Sequence, residues 1–197
     1  MQHMIGRYVS FAAYGATAAL VLAITPRAYG ADGPYVAAGY SYTSYETRCN
    51  GGACDRRDSG YRAAVGWHFA KVWSIEAIHL NAGRFVASDV TASGTPFHGR
   101  AKVRASGGTV GYEYPIGTVF TIAARVGAAA VTADFEPGPA PAIRGGKSTA
   151  QFFGGLTGTY HFSNAWSVRL DWDHTRGRMN RYDGDVNAAS VGIQFGF

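Results

Sequence analysis

The chain has 197 residues, of which 47% are hydrophobic and 14% aromatic but only 16% charged. So much apolar and aromatic material excludes a disordered chain, two cysteines exclude a disulfide-dense scaffold, and no segment after residue 30 approaches the ~18 consecutive apolar residues of a spanning helix. Charge this far below the ~25% usual for a soluble domain, together with 27 glycines, points to an all-β protein compatible with lipid surroundings.

Residues 1–30 read as a secretory signal peptide. A basic Arg7 precedes the apolar stretch Ser10 to Ile24, Pro26 breaks it, and Ala28 and Gly30 supply the small residues of a cleavage site. A short buried helix is the alternative reading. Cleavage after Gly30 leaves residues 31–197 as the working domain, and loss of Arg7 and Arg27 lowers the formal charge of +5 by two. Nucleic acid is not an expected partner for a secreted chain.

From residue 33 onward, apolar residues recur at every second position, the signature of strands that send alternate side chains to opposite faces. Val36, Ala38, Tyr40 and Tyr42 share one face. Tyr61, Ala63, Val65, Trp67 and Phe69 form the clearest series. Trp73, Ile75 and Ala77 continue the rule, but His79 then falls on the apolar face, so a bulge or an interfacial histidine is expected there. Further series are Val110, Tyr112 and Tyr114; Phe120 to Ala130; Phe152, Leu156, Tyr160 and Phe162; Trp166 to Trp172; and Ala189 to Phe197.

The charges Arg62, Glu76, Glu113, Arg125, Arg169, Asp171 and Asp173 all fall on the opposite face. Ring residues gather near strand ends, as in interfacial girdles. Connections alternate between short (Ala70-Lys71-Val72, Pro115-Ile116-Gly117, Ser163-Asn164-Ala165) and long (46–58, 86–101, 133–148 and 175–184). These features specify an eight-stranded antiparallel up-and-down transmembrane β-barrel of ~10-residue strands in a Gram-negative outer membrane. Its interior is only wide enough for side chains to fill. The inward set Arg62, Glu76, Glu113, Arg125, Arg169 and Asp171 is balanced in sign, and burying such groups unpaired costs several kcal/mol each. Internal ion pairs and a plugged lumen are therefore expected.

Several motifs resemble the transmembrane domain of OmpA and the wider family of small outer-membrane barrels that includes opacity-type adhesins. They are Tyr35-Val36-Ala37-Ala38-Gly39-Tyr40, Gly111-Tyr112-Glu113-Tyr114-Pro115-Ile116 with Ala124-Arg125-Val126-Gly127, and Tyr160-His161-Phe162-Ser163-Asn164 with Ser167-Val168-Arg169-Leu170-Asp171. The resemblance implies that Glu76 pairs with Arg169, with Arg125 and Asp171 beside them, and that breaking this pair enlarges conductance. Gly111 and Thr159 stand where the family's second acid–base pair falls, which implies more room inside. The C-terminal Val191 to Phe197, with Gly192, Phe195 and Phe197, is similar to the signal read by the barrel-assembly machinery.

Chemistry outside the barrel wall is sparse. His161-Phe162-Ser163-Asn164 resembles the His-x-Ser-Asn motif of the lipid A deacylases, in which His serves as base and Ser as nucleophile. A tight turn is the competing reading, since Asn164 tolerates turn geometry. Cys49 and Cys54 enclose four residues and are expected to be joined in an oxidising compartment. No cofactor or metal set is evident. The long loops and the strand ends beside them, which include Arg84, Lys102, Arg104 and Asp185, carry twelve basic against eight acidic residues, which suits the phosphates of lipopolysaccharide or a host surface ligand. The expected role is structural or surface interaction through the loops. A narrow small-solute channel and a lipid A hydrolase are the alternatives.

Overall fold

Alternating β-branched, aromatic and small residues become eight long strands in a computed structural model. It describes residues 33–46, 54–55, 57–90, 96–137, 147–179 and 182–197. The strands are β1 (Gly33–Glu46), β2 (Arg57–Ala70), β3 (Trp73–Val90), β4 (Pro96–Ile116), β5 (Phe120–Pro137), β6 (Lys147–His161), β7 (Trp166–Met179) and β8 (Tyr182–Gly196). Each pairs antiparallel with its sequence neighbour, and β1 pairs with β8 from Tyr35↔Gly196 to Glu46↔Asp185, closing the barrel. A two-residue piece, Cys54–Asp55, adds to the far end of β3 opposite Ala87 and Val86. Closure leaves no unpaired ladder facing lipid, the condition for spanning a bilayer with strands. The signal-peptide segment expected at 1–30 lies outside the described residues.

The strands run 14 to 21 residues, longer than the ~10 that cross the bilayer. The excess lies at the end opposite the short turns. Two stretches expected as long loops, 86–101 and 175–184, are mostly strand: 86–90, 96–101, 175–179 and 182–184 belong to strands. Beyond the membrane neither face of a strand needs to be apolar, so the period-two signal fades while the ladder continues. At the other end the turns are Lys71-Val72, Gly117 to Val119 and Phe162 to Ala165. The second begins two residues later than expected, because Pro115 and Ile116 still pair with Thr121 and Phe120.

The irregularity expected near His79 lies further along β3, where register shifts between Asn81 and Arg84. Gly83 sits there at φ 84°, and a Cβ on it would meet the Asp58 carboxylate and the Ser59 carbonyl. His79 keeps the ladder and faces outward. Its Nδ1 lies 2.7 Å from Ser106 Oγ, and its Nε2 lies 3.5 Å from the Tyr61 hydroxyl.

The outer surface is an apolar band with rings at the short-turn end. Trp73 packs edge-on against Tyr112 at 5.1 Å, Phe120 against Tyr160 at 4.9 Å and Trp166 against Phe195 at 4.8 Å. Burial therefore inverts the usual order: Trp67, Leu170 and Ile193 are exposed on the barrel wall, whereas Arg62, Glu76 and Arg125 are buried inside it.

Candidate functional site

Three levels of side chains fill the lumen. The middle one is ionic. Arg62 on β2, Arg125 on β5 and Arg169 on β7 converge on Glu76 of β3 and on Asp171 and Asp173 of β7. Glu76 meets all three guanidiniums, at 3.2 Å from Arg62, 3.0 Å from Arg125 and 2.5 Å from Arg169. Arg125 also reaches Asp171 at 2.9 Å and Asp173 at 2.7 Å. Neutral groups occupy remaining positions: the Tyr35 hydroxyl donates to Glu76 Oε1 at 2.9 Å, Thr157 donates to Asp171 at 2.8 Å, and Arg169 donates to the Gln194 side-chain oxygen at 3.1 Å. All six charged residues are buried. Equal numbers of fixed charges make the layer neutral, which is what a dry interior tolerates.

The neighbouring strands supply the space. Arg62 stands opposite Gly39, Arg125 opposite both Gly111 and Gly155, and Arg169 opposite Gly192. A glycine at the adjacent inward position on at least one side leaves each guanidinium room to fold across the lumen. Gly66 serves the same end for Tyr35, since a Cβ on Gly66 would overlap the phenol ring. The room implied at Gly111 is taken up, because the Ser74 hydroxyl and the stem of Arg125 lie against it.

Five of the six inward charges singled out in the sequence meet in this layer, including Glu76 with Arg169 and Arg125 with Asp171. Glu113 does not. It lies nearer the short turns, where its Oε1 is 3.0 Å from His68 Nε2. Asp173 completes the balanced set in its place. Asp173 was legible as inward-facing, but its partners lie 111 and 48 residues away in the chain.

Above the ionic layer, toward the long-loop end, the lumen is largely apolar, with the buried hydroxyls of Thr43 and Thr175 among the hydrocarbon side chains. Tyr45, Ile78, Leu80, Val103, Val131, Phe153 and Val186 form one buried cluster with intervening alanines. Phe153 and Leu80 have almost no exposed surface. The sequence pattern points to internal ion pairs and a plugged lumen but not to this apolar level. The missed signal is the loss of alternation at the outer half of the strands, as in Val126 to Val131, where both faces are small or apolar.

Below the ionic layer, an open vestibule of about 360 Å³ faces the short-turn end. Its roof is Tyr35, stacked on His68 with ring centroids 4.4 Å apart. His161 and Ser167 line its wall, with His161 Nδ1 2.8 Å from Ser167 Oγ. Ser163 is not the partner of His161. Its hydroxyl accepts the backbone N–H groups of Ala165 and Trp166, at 3.3 and 2.9 Å, and so shapes the turn. The motif that resembled a nucleophile and its base is thus divided between a turn and the barrel wall.

The remaining candidates are distributed. Phe195 packs between Trp166 and Phe197 on the outer wall. Phe197 also borders the vestibule, and its backbone N–H donates to the Pro34 carbonyl at 3.1 Å. Cys49 lies outside the described residues, as does the side chain of Cys54. No group of His, Cys, Asp and Glu among the described residues is arranged to hold a metal ion.

With this geometry in place, comparisons place the chain among known proteins. The crystal structure of Ail, the attachment invasion locus protein of Yersinia pestis, in complex with the heparin analogue sucrose octasulfate matches with a TM-score of 0.54. The two share 12% identity over 83% of this chain and 99% of Ail. The outer membrane protein OprG of Pseudomonas aeruginosa matches with a TM-score of 0.54 and 12% identity, over 86% of this chain and 98% of OprG. The N-terminal β-barrel domain of Pseudomonas aeruginosa OprF matches with a TM-score of 0.50 and 12% identity, over 85% and 100% of the two chains. Identities this low speak for the fold alone. No curated protein matches by sequence. The family model for the outer membrane protein beta-barrel domain matches residues 10–197. The chain is therefore a member of the outer membrane protein beta-barrel domain family, and it resides in the outer membrane.

Proposed function

We propose that this protein is a closed barrel that presents its outer strand extensions and loops as an interaction surface at the cell exterior. The observation that carries this reading is the double closure of the lumen, with a neutral ionic layer beneath an apolar one. A solute path would have to cross both, whereas the strands extend well past the membrane at the end that carries the long connections. The basic excess of those connections suits sulfated or phosphorylated glycans. Ail, which shares the fold, was crystallised with a heparin analogue.

Two measurements test the reading. In planar bilayers the protein should give no steady openings. A large, persistent conductance would replace this proposal with the small-solute channel. Cells displaying the protein should retain a sulfated polysaccharide in a salt-sensitive manner and ignore its desulfated form; equal retention of both removes the glycan assignment. The turn role of Ser163 further leads us to expect that lipid A mass is unchanged on incubation with the protein and that Ser163→Ala makes no difference.

A further inference from the structure

The outer wall of β3 and β4 carries a cation group that the loops do not account for. Arg84 and Lys102 stand directly opposite each other in the ladder, and Asn81 stands opposite Arg104. Residues opposed in an antiparallel ladder share a face, and the exposed Val110 and Tyr112 of β4 mark that face as the outward one. Like charges directly opposed destabilise a ladder unless an anion lies between them. Among the described side chains the nearby carboxylates are committed. Asp134 on β5 faces Lys102 in register but pairs with Arg104, and Asp58 accepts the backbone N–H of Arg84 and that of Ser59. Among the described residues neither Arg84 nor Lys102 has a carboxylate partner, and Arg104 Nε is buried with no hydrogen-bond acceptor.

Height identifies the surroundings. From Tyr114 at the short-turn girdle to Arg104 is ten residues along β4. A rise of ~3.3 Å per residue and a tilt of ~40° place Arg104 about 25 Å higher, the thickness of the apolar band. Lys102 and Arg84 lie just beyond. Aromatic side chains mark the outer interface on β1, β2 and β7, as Tyr40, Tyr42, Tyr61 and Trp172. On β3 and β4 that level instead carries the hydrogen-bonded pair His79 and Ser106, with the cations above it.

We propose that Arg84, Lys102 and Arg104 form a binding site on the outer wall for the phosphate of an outer-leaflet glycolipid headgroup. A guanidinium fork and an ammonium supply charge-assisted donors to one phosphate, while the acyl chains lie along the small residues Gly108, Ala128 and Ala130 below. This site lies below the loops, at the membrane end of the strand extensions, and requires only that the long-loop end faces outward.

The full chain, extracted from outer membranes in mild detergent, is mixed with diphosphorylated lipid A or with the same lipid after enzymatic dephosphorylation. Bound lipid is counted by native mass spectrometry. Retention of the phosphorylated form should exceed that of the dephosphorylated form by about tenfold or more. Arg84→Gln with Lys102→Gln should abolish the difference while heat-modifiable migration stays normal. Arg176→Gln, a cation on β7 already paired with Asp185 at 3.0 Å, should leave it intact. Equal retention of the two lipids by the wild type overturns the proposal, and this arm stands even where the double variant fails to fold. Retained preference in a folded double variant also overturns it. Full displacement by millimolar inorganic phosphate assigns the cations to a free anion instead of a lipid.

Discussion

Replacing Glu76 by Ala removes one of the two carboxylates, Glu76 and Asp171, that all three lumen arginines share, together with the acceptor of the Tyr35 hydroxyl. Three guanidiniums would then face two aspartates in a layer shielded from water, leaving one positive charge uncompensated. Breaking a buried pair in this way costs about 3–5 kcal/mol, or roughly a hundred- to a few-thousand-fold in the folding equilibrium. Glu76→Ala combined with Arg169→Ala restores neutrality, with Arg62 and Arg125 against Asp171 and Asp173. The double variant should therefore recover part of the loss, with a coupling energy of about 0.5–3 kcal/mol. Urea unfolding of the barrel in lipid vesicles, followed by tryptophan fluorescence and heat-modifiable migration, measures both. A Glu76→Ala barrel within about 0.5 kcal/mol of wild type would refute the dry ionic layer, because a hydrated lumen would screen the unpaired charge. Conductance is the second readout. The resemblance to OmpA led to an expectation that breaking this pair opens the lumen, but Leu80 and Phe153 still close the level above. Glu76→Ala should weaken the barrel and leave it non-conducting.

Gly66→Ala should destabilise the barrel by about 1–3 kcal/mol through overlap with Tyr35, and Tyr35→Ala in the same chain should relieve much of that loss in the same urea assay. Cys49 and Cys54 should resist alkylation on intact cells until reductant is added; their bridge closes so short a loop that its effect on global stability should be small, and two freely alkylated thiols would show that it is absent. Deleting Phe197, which packs on Phe195 and ties back to Pro34, should lower the yield of folded barrel far more than it lowers synthesis. Equal yield by heat-modifiable migration would count against the assembly-signal reading. The mature chain should begin at Ala31, and an intact mass retaining Met1 would disprove signal cleavage.

Which face of each strand meets lipid was decided by the sequence alone. Alternation is a local property: Tyr61 and Trp67 point one way and Arg62 the other because a strand has a period of two, whatever it pairs with. The even strand number, the short turns and the inward direction of Arg62, Glu76, Arg125, Arg169 and Asp171 follow from the same rule. Who meets whom across the lumen does not, because it depends on how far the ladder is sheared when β1 closes on β8. Only the closed barrel brings Arg62 and Arg125 to Asp173, and only there does Glu113 turn to His68 below the ionic layer. The apolar seal formed by Leu80, Phe153 and Val131 was likewise hidden, because a strand buried inside the barrel and a strand facing lipid call for the same residues. Strand length escaped for the opposite reason: past the membrane, hydrophobicity no longer constrains either face of β3, β4 and β7, while backbone pairing carries the ladder on regardless of side chain.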